Sequence, residues 1–431
     1  MIISQILQRE FKMDYSNKSV LVYDYGMWPT LAQRLSRDFG KVYYFNPTQK
    51  SSFPTSKFAW VGYGVPGVIQ VDDFWEIADE VDLFVFPDLY DWDLQLKLVD
   101  MGKRVWGLRK LEILETDREY FRNVQVDLGL NVPETVICHG ITSLKEFLKD
   151  ATDKYIKLSY YRGDSETFHW RSMELDEPWL GELEGDMGLQ VDECDFFVEN
   201  PIEGIESGYD MYVVDGQIPE TIALGYEIKD ACYLFKFVKY TDMPKEFQAI
   251  NEAMIPLFKK SGARGFFSTE IRVDKQRNCY LLDFCARLGS PTFEAQMEMY
   301  KNLADILWFG ADGKLVEPEI TDEYGAILNI YVQAEGRDKW IYVDFPEDLK
   351  DNVKLKNLAM KNGKSYYVPT IENLREIGGI IAEGHSFDDV IEKLKLYSAD
   401  VKGYEIEIRT ENLDKAMDTI TEGEYYGIIF K

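Results

Sequence analysis

The stretch CYLLDFCARLGSP, Cys279 to Pro291, sets Asp283 and Arg287 four residues apart at the end of an apolar run, where burying a charge is costly. Upstream, GFFSTEIRVDKQRNCYLLDFC reads as a β-hairpin turning at Lys275 to Asn278. Glu270 on the first strand and Asp283 on the second then approach each other on one face. Two carboxylates side by side repel, and a divalent cation removes the repulsion. Mg²⁺ suits such a pair, because it prefers oxygen and commonly takes one or two carboxylates together with substrate phosphates. Arg287, just beyond, is placed to neutralise a phosphoryl group in transfer. A surface hairpin with an internal ion pair is the plainer reading of the same residues.

Other positions point the same way. FFVENPIEGIES sets Glu199 and Glu206 seven residues apart around Pro201 and Gly204. A strand end with free backbone groups suits the Watson–Crick edge of adenine, and a carboxylate suits ribose hydroxyls. Lys157 lies inside the apolar strand YIKLSYY, where an ammonium is disfavoured unless a phosphate meets it; an edge lysine reaching for water is the alternative. Arg118, opening a helix after ETD, reads as a second phosphate contact or as a solvated helix residue.

The elements that must hold these side chains alternate from Ser19 onward. SVLVYDYG is a buried strand, WPTLAQRLSRDFG a helix closed by Gly40, KVYYFNP the next strand, VDLFVFPDLYD another, and DLQLKLVDMG a helix before the strand RVWGL. This is a small doubly wound domain over residues 19–112. The helix ETDREYFRNVQVDLG, the strand NVPETVICHG, the helix SLKEFLKDA and the strand that carries Lys157 follow. Strand signals continue from Asp195 to Tyr240, with a turn at VDGQIPE. KEFQAINEAMIPLFKKSG is an amphipathic helix, and a mixed tail begins near Tyr324 and includes the helix SFDDVIEKLKLYSADV.

Composition bounds the partners. At 431 residues the chain needs two to four domains, and 45% hydrophobic content supplies their cores. A net charge of −28 opposes extended nucleic-acid binding and anionic membranes. Five cysteines without a CxxC pair fit a reducing compartment, and the three histidines lack metal-ligand spacing. No apolar run is long enough to span a bilayer, and the N-terminus lacks a signal-peptide cleavage site. The expectation is a cytoplasmic protein.

Taken in order, these residues resemble the ATP-grasp superfamily, and within it phosphoribosylamine–glycine ligase. YLLDFCARLGSP is similar to that family's Glu-Phe-Asn-x-Arg-Phe-Gly-Asp-Pro segment, RVWGLRKLEILETDREYFR to its Gly-Pro-x-x-x-Ala-x-x-Glu-x-Ser-Lys helix, and REIGGIIAEGHSFDDVIEKLKLYSADVKG to its C-terminal region. The resemblance implies an α/β protein with the ATP-grasp fold. Its parts would be an extension over residues 1–18, a pre-ATP-grasp domain over 19–112, the grasp over 113–310 with its lid lobe near 134–198, and a C-terminal domain over 311–431. Lys157, Arg118 and Ser165 would contact ATP phosphates. Glu199 and Ile202 would mark the adenine hinge, with Glu206 at the ribose. Glu270 and Asp283 would hold Mg²⁺ or Mn²⁺, and Arg287 would steady the γ-phosphate or an acyl phosphate. Asp88, Lys229 and Ser290 become candidates for the substrates, a small-molecule carboxylate and an amine.

Departures fall mainly on substrate recognition. Cys285 replaces the family's Asn metal ligand and is a poor partner for a hard cation. The phosphate-covering loop YYRGDSETF has one glycine, leaving the Ser165 and Thr167 hydroxyls to substitute. GMWPTLAQRL stands where a paired-glycine ribose-phosphate segment is expected, and DACYLFKFVKY replaces a glycine-rich segment beyond Lys229. The expected function is an ADP-forming carboxylate–amine ligase working through an acyl phosphate. A silent ATP-binding protein and a carboxylase acting on bicarbonate are the rivals. The absence of a Met-Lys-Met biotin context weighs against the carboxylase.

Overall fold

The computed structural model describes residues 13–48, 60–158, 167–228, 232–333, 339–369 and 375–430. Ser165 and Lys229, and most of the loop around Gly163, lie outside them. The chain opens with a parallel sheet of five strands among the described residues: β1 Ser19–Tyr23, β2 Lys41–Phe45, β3 Val68–Gln70, β4 Leu83–Val85 and β5 Arg104–Trp106, in the order β3-β2-β1-β4-β5. Every residue of β1 is buried, as an apolar strand covered on both faces must be. The strand order reverses between β1 and β4, which leaves a crevice at their C-terminal ends.

Next comes an antiparallel lobe of β6 Thr135–His139, β7 Lys154–Leu158, β8 Thr167–Trp170 and β9 Asp195–Glu199, ordered β6-β9-β7-β8. Helices Gly140–Leu148 and Met173–Met187 accompany it, and Leu144, Leu148, Ile156, Trp170 and Phe196 are fully buried between them. Residues 200–204 join this lobe to β10 Ile205–Val214 of a large sheet. Gly204 has φ +154°, and a Cβ there would stand 2.0 Å from the Val273 carbonyl oxygen, so the connection can run this close to the sheet only without a side chain.

The large sheet continues through β11 Thr221–Ile228, β12 Cys232–Lys239, β13 Arg264–Val273, β14 Cys279–Cys285 and β15 Tyr324–Val332. Its order is β14-β13-β10-β11-β12-β15, extended by Glu376–Gly384 and then Val353–Leu355, so strands late in the chain complete it. The helix Lys245–Ser261 packs on β13 and β14, with Phe258 5.1 Å from Phe267 between ring centroids. It ends where Gly262 turns left-handed. Among the described residues, no helix is long and apolar enough to cross a membrane.

Candidate functional site

The β13–β14 hairpin forms as the sequence implies, and Glu270 is the register partner of Asp283. The next pair is Ile271 with Leu281, which makes Leu282 the extra residue of a β-bulge. A bulge lets two successive residues share a face. Asp283 therefore leaves the buried side occupied by Leu281 and turns towards the small lobe.

Three cationic side chains converge there. Lys157 Nζ donates to Asp283 Oδ2 at 2.9 Å and lies 3.9 Å from Glu199 Oε2. Arg118 Nη1 donates to Asp283 Oδ1 at 2.9 Å. Arg122 donates to Glu199 Oε1. The side chains of Lys157, Arg118 and Glu199 are only 8%, 9% and 5% exposed. Burial pushes the Asp283 carboxyl up, but attraction to Lys157 and Arg118 outweighs it and holds the group at about 2. Both features that prompted a metal and a phosphate in the sequence thus have protein partners: Asp283 is balanced by two cations, and the Lys157 ammonium by two carboxylates.

The positions come from four separate elements. Asp117 caps the helix Arg118–Asp127 by accepting the Tyr120 N–H at 2.8 Å, which places Arg118 and Arg122 one turn apart on the side facing β9 and β14. Lys157 sits on the inner lobe strand β7, and Glu199 ends β9 where the lobe meets the large sheet. Ile202 lies half-buried in that connection, and Glu206 begins β10, where it accepts from its cross-strand partner Arg272.

Beyond β14, Arg287 Nε donates to Glu115 Oε1 at 2.8 Å, and the Ala286 N–H donates to Glu115 Oε2 at 2.6 Å. One carboxylate therefore fixes both the backbone and the guanidinium of the turn. Burial works against the Arg287 charge, yet Glu115 keeps its pKa above the ordinary arginine value. Desolvation, with Glu115 adding to it, pushes the Cys285 thiol well up, so it stays protonated near neutrality. Asp88 lies just past β4, 6% exposed, and its charge acts on Arg287. Ser290 Oγ donates to Glu294 Oε1 at 3.1 Å.

The structure thus gathers Arg118, Lys157, Glu199, Glu270 and Asp283 around the junction of lobe and sheet, and sets Arg287, Asp88 and Ser290 along the side facing the first sheet. Glu115, Arg122 and Glu294 were not singled out from sequence. Among the described residues no group of three or more His, Cys, Asp or Glu side chains could hold a metal ion by itself. The Glu270–Asp283 pair still fits Mg²⁺, which completes its coordination with phosphate oxygens and water.

No protein-family model and no curated protein sequence matches the chain. Solved structures do. The phosphoribosylamine–glycine ligase of Thermotoga maritima superposes with a TM-score of 0.69 at 14% identity, over 91% of this chain and 99% of that one. The biotin carboxylase domain of the Hydrogenobacter thermophilus 2-oxoglutarate carboxylase, solved with MgADP, ADP and bicarbonate, gives 0.67 at 11%, over 96% and 99%. The L-amino acid ligase of Bacillus licheniformis gives 0.58 at 14%, over 90% and 98%. Ligases and carboxylases are matched over nearly their full lengths, and what they share with this chain is its architecture: the protein has the ATP-grasp fold.

Proposed function

We propose that the protein is an ATP-dependent enzyme that activates a carboxylate as its acyl phosphate and passes the acyl group to an amine, releasing ADP and phosphate. The observation that carries this reading is the convergence of Lys157 and Arg118, from two elements, on Asp283 from a third. A buried cluster with two long cationic side chains on one carboxylate can exchange partners when a polyanion arrives. A triphosphate entering here would draw the ammonium and guanidinium from Asp283 to its phosphate oxygens, leaving Asp283 and Glu270 as the residues that would hold Mg²⁺. Bound there, the ion would neutralise charge on the phosphates. Glu199, at the junction of lobe and sheet, borders the nucleotide base; Glu206 and Ile202 line its continuation. Arg287, oriented by Glu115, steadies charge that builds on the transferring phosphoryl group. The protein supplies position and charge, and no side-chain nucleophile is required.

Bicarbonate is a second candidate for the activated acid, because biotin carboxylases match 93–96% of the chain. The missing Met-Lys-Met context counts against a carboxylase that carries its own biotin, and leaves open a subunit that acts on a carrier elsewhere. The test is ADP release with ATP and Mg²⁺ across a panel of carboxylic acids, bicarbonate included, with hydroxylamine present to trap acyl phosphates. One acid should raise ADP release above background and yield a hydroxamate; bicarbonate-dependent release with biotin as acceptor would select the carboxylase instead.

A further inference from the structure

Buried polar groups cluster in the crevice where the first sheet's strand order reverses. Asp24, just past β1, is fully buried; its Oδ2 accepts from the Tyr44 hydroxyl at 2.6 Å and the Trp28 N–H at 2.8 Å. Gly26, at φ +119°, lies against Asn357: its carbonyl accepts the Asn357 N–H at 2.6 Å, and a Cβ on it would stand 2.3 Å from Asn357 Oδ1 and 3.7 Å from Asn46 Nδ2. Trp28 packs edge-on against Phe293, with centroids 5.8 Å apart, which brings up the neighbouring Glu294. Lys356, beside Asn357, acts on the Glu294 charge.

Five side chains in this group, all at least nine-tenths buried, have a polar atom without a hydrogen-bond partner: Asp24 Oδ1, Trp28 Nε1, Asn46 Nδ2, Glu294 Oε2 and Asn357 Nδ2. Leaving such atoms unpaired costs about 1–3 kcal/mol each, so a chain keeps five in one place when a ligand satisfies them. Three are donors, and two are carboxylate oxygens.

The sign of the surroundings restricts that ligand. Asp24, Asp88 and Asp91 follow the ends of β1 and β4, where the Asp88 charge acts on the other two, and the Glu376 charge acts on Glu294. Burial, helped by the Asp88 charge in the two aspartates, holds Asp24 and Glu294 at about 7 and Asp91 at about 6. The nearby cations are committed: Lys356 lies 2.7 Å from Glu376, and Arg287 is held by Glu115. Among the described residues, a phosphate group would meet carboxylates and no available cation. An ammonium group would meet acceptors.

We infer that the amine substrate binds at this crevice as a phosphate-free cationic amine, its ammonium on Glu294 and Asp24 and a neutral acceptor on Trp28 Nε1 and Asn357 Nδ2. The inference rests on the ligase reading above and narrows its substrate class. It also accounts for GMWPTLAQRL, which supplies Trp28 where a phosphate-binding segment would carry paired glycines.

The test uses the full chain without nucleotide, titrated by calorimetry with two pairs of probes: ethanolamine against phosphoethanolamine, and glucosamine against glucosamine 6-phosphate. The unphosphorylated member of at least one pair should bind at least tenfold more tightly than its partner. Glu294→Gln, nearly isosteric, should weaken that binding at least tenfold while ATP affinity keeps its wild-type value and so reports an intact fold; Asp24→Asn should act in the same direction. Tighter binding of the phosphorylated members, no binding of any probe, or an unchanged affinity in Glu294→Gln would overturn the inference. Failure of the ligase reading shows separately, as no hydroxamate from any acid, because hydroxylamine attacks the acyl phosphate without needing this crevice.

Discussion

Asp283→Asn separates the two roles assigned to this carboxylate. In the free protein it holds Lys157 and Arg118, each at 2.9 Å. Removing its charge leaves two cations, less than a tenth exposed, short of a partner, a situation that ordinarily costs about 3–5 kcal/mol. Here Glu199 remains 3.9 Å from Lys157, and the Leu158 carbonyl 3.5 Å from Arg118, so about 2–3 kcal/mol is expected. A polyphosphate recovers that energy, since it no longer competes with Asp283 for the two cations. Metal-free ATP or tripolyphosphate should therefore bind the variant more tightly than wild type, by about tenfold or more at 1.4 kcal/mol per decade. Mg²⁺-dependent ADP release should vanish in the same protein. Calorimetry in excess EDTA, with thermal unfolding alongside, measures both stability and affinity. An unchanged or weaker metal-free affinity would refute the partner exchange, whatever happens to turnover.

Glu115→Gln should lower the maximal rate more than it raises the KM for ATP, because it loosens Arg287 without touching the nucleotide; steady-state kinetics separates the two. Cys285→Ser should leave turnover within a few fold of wild type, since a protonated thiol is a poor ligand for Mg²⁺, and a loss near that of Asp283→Asn would make the sulfur part of the site. Gly204→Ala should destabilise by about 1–3 kcal/mol in urea unfolding, because its Cβ meets the Val273 carbonyl. Glu294 is a carboxyl whose folded pKa, about 7, lies above its unfolded value of 4.5. The neutral form is the one the fold favours, so wild type loses stability as pH rises from 4.5 through 7. Glu294→Gln should gain on it by about 3 kcal/mol over that range, read as the difference in unfolding free energy between pH 5 and pH 8.

The hairpin was legible because its pattern is local: alternation, a polar turn, and acids at matched distances from it. The bulge at Leu282 was not, since nothing in YLLDFC distinguishes a strand that slips by one residue from one that does not. Lys157 stood out as a charge inside an apolar strand, but its ion partners were hidden by sequence separation: Asp283 is 126 residues away. Glu115 and Arg122 looked like ordinary helix charges for the same reason, their partners being 172 and 77 residues distant. The helix Leu303–Ala311, LADILWFGA, was missed because it is apolar all round and carries no amphipathic period. The strand Glu376–Gly384 was read only as part of a mixed tail, and its place beside β15 in the large sheet depends on pairing that no local pattern encodes. The crevice around Trp28, Asn357 and Glu294 draws on three distant segments, and only the first lay in a stretch that attracted notice.

On the proposed function, the cluster at Lys157, Arg118 and Asp283 serves phosphoryl transfer to a carboxylate. The most direct measurement is single-turnover formation of ADP and hydroxamate with ATP, Mg²⁺, hydroxylamine and the acid panel, run on wild type and Lys157→Ala. ADP should stay near background without acid and equal the hydroxamate with the right one, and the variant should lose about tenfold or more in nucleotide affinity, from an ammonium–phosphate contact of about 1.5–3 kcal/mol. Tight ATP binding with neither product across the panel, or a Lys157→Ala protein that binds ATP as wild type does, would contradict it.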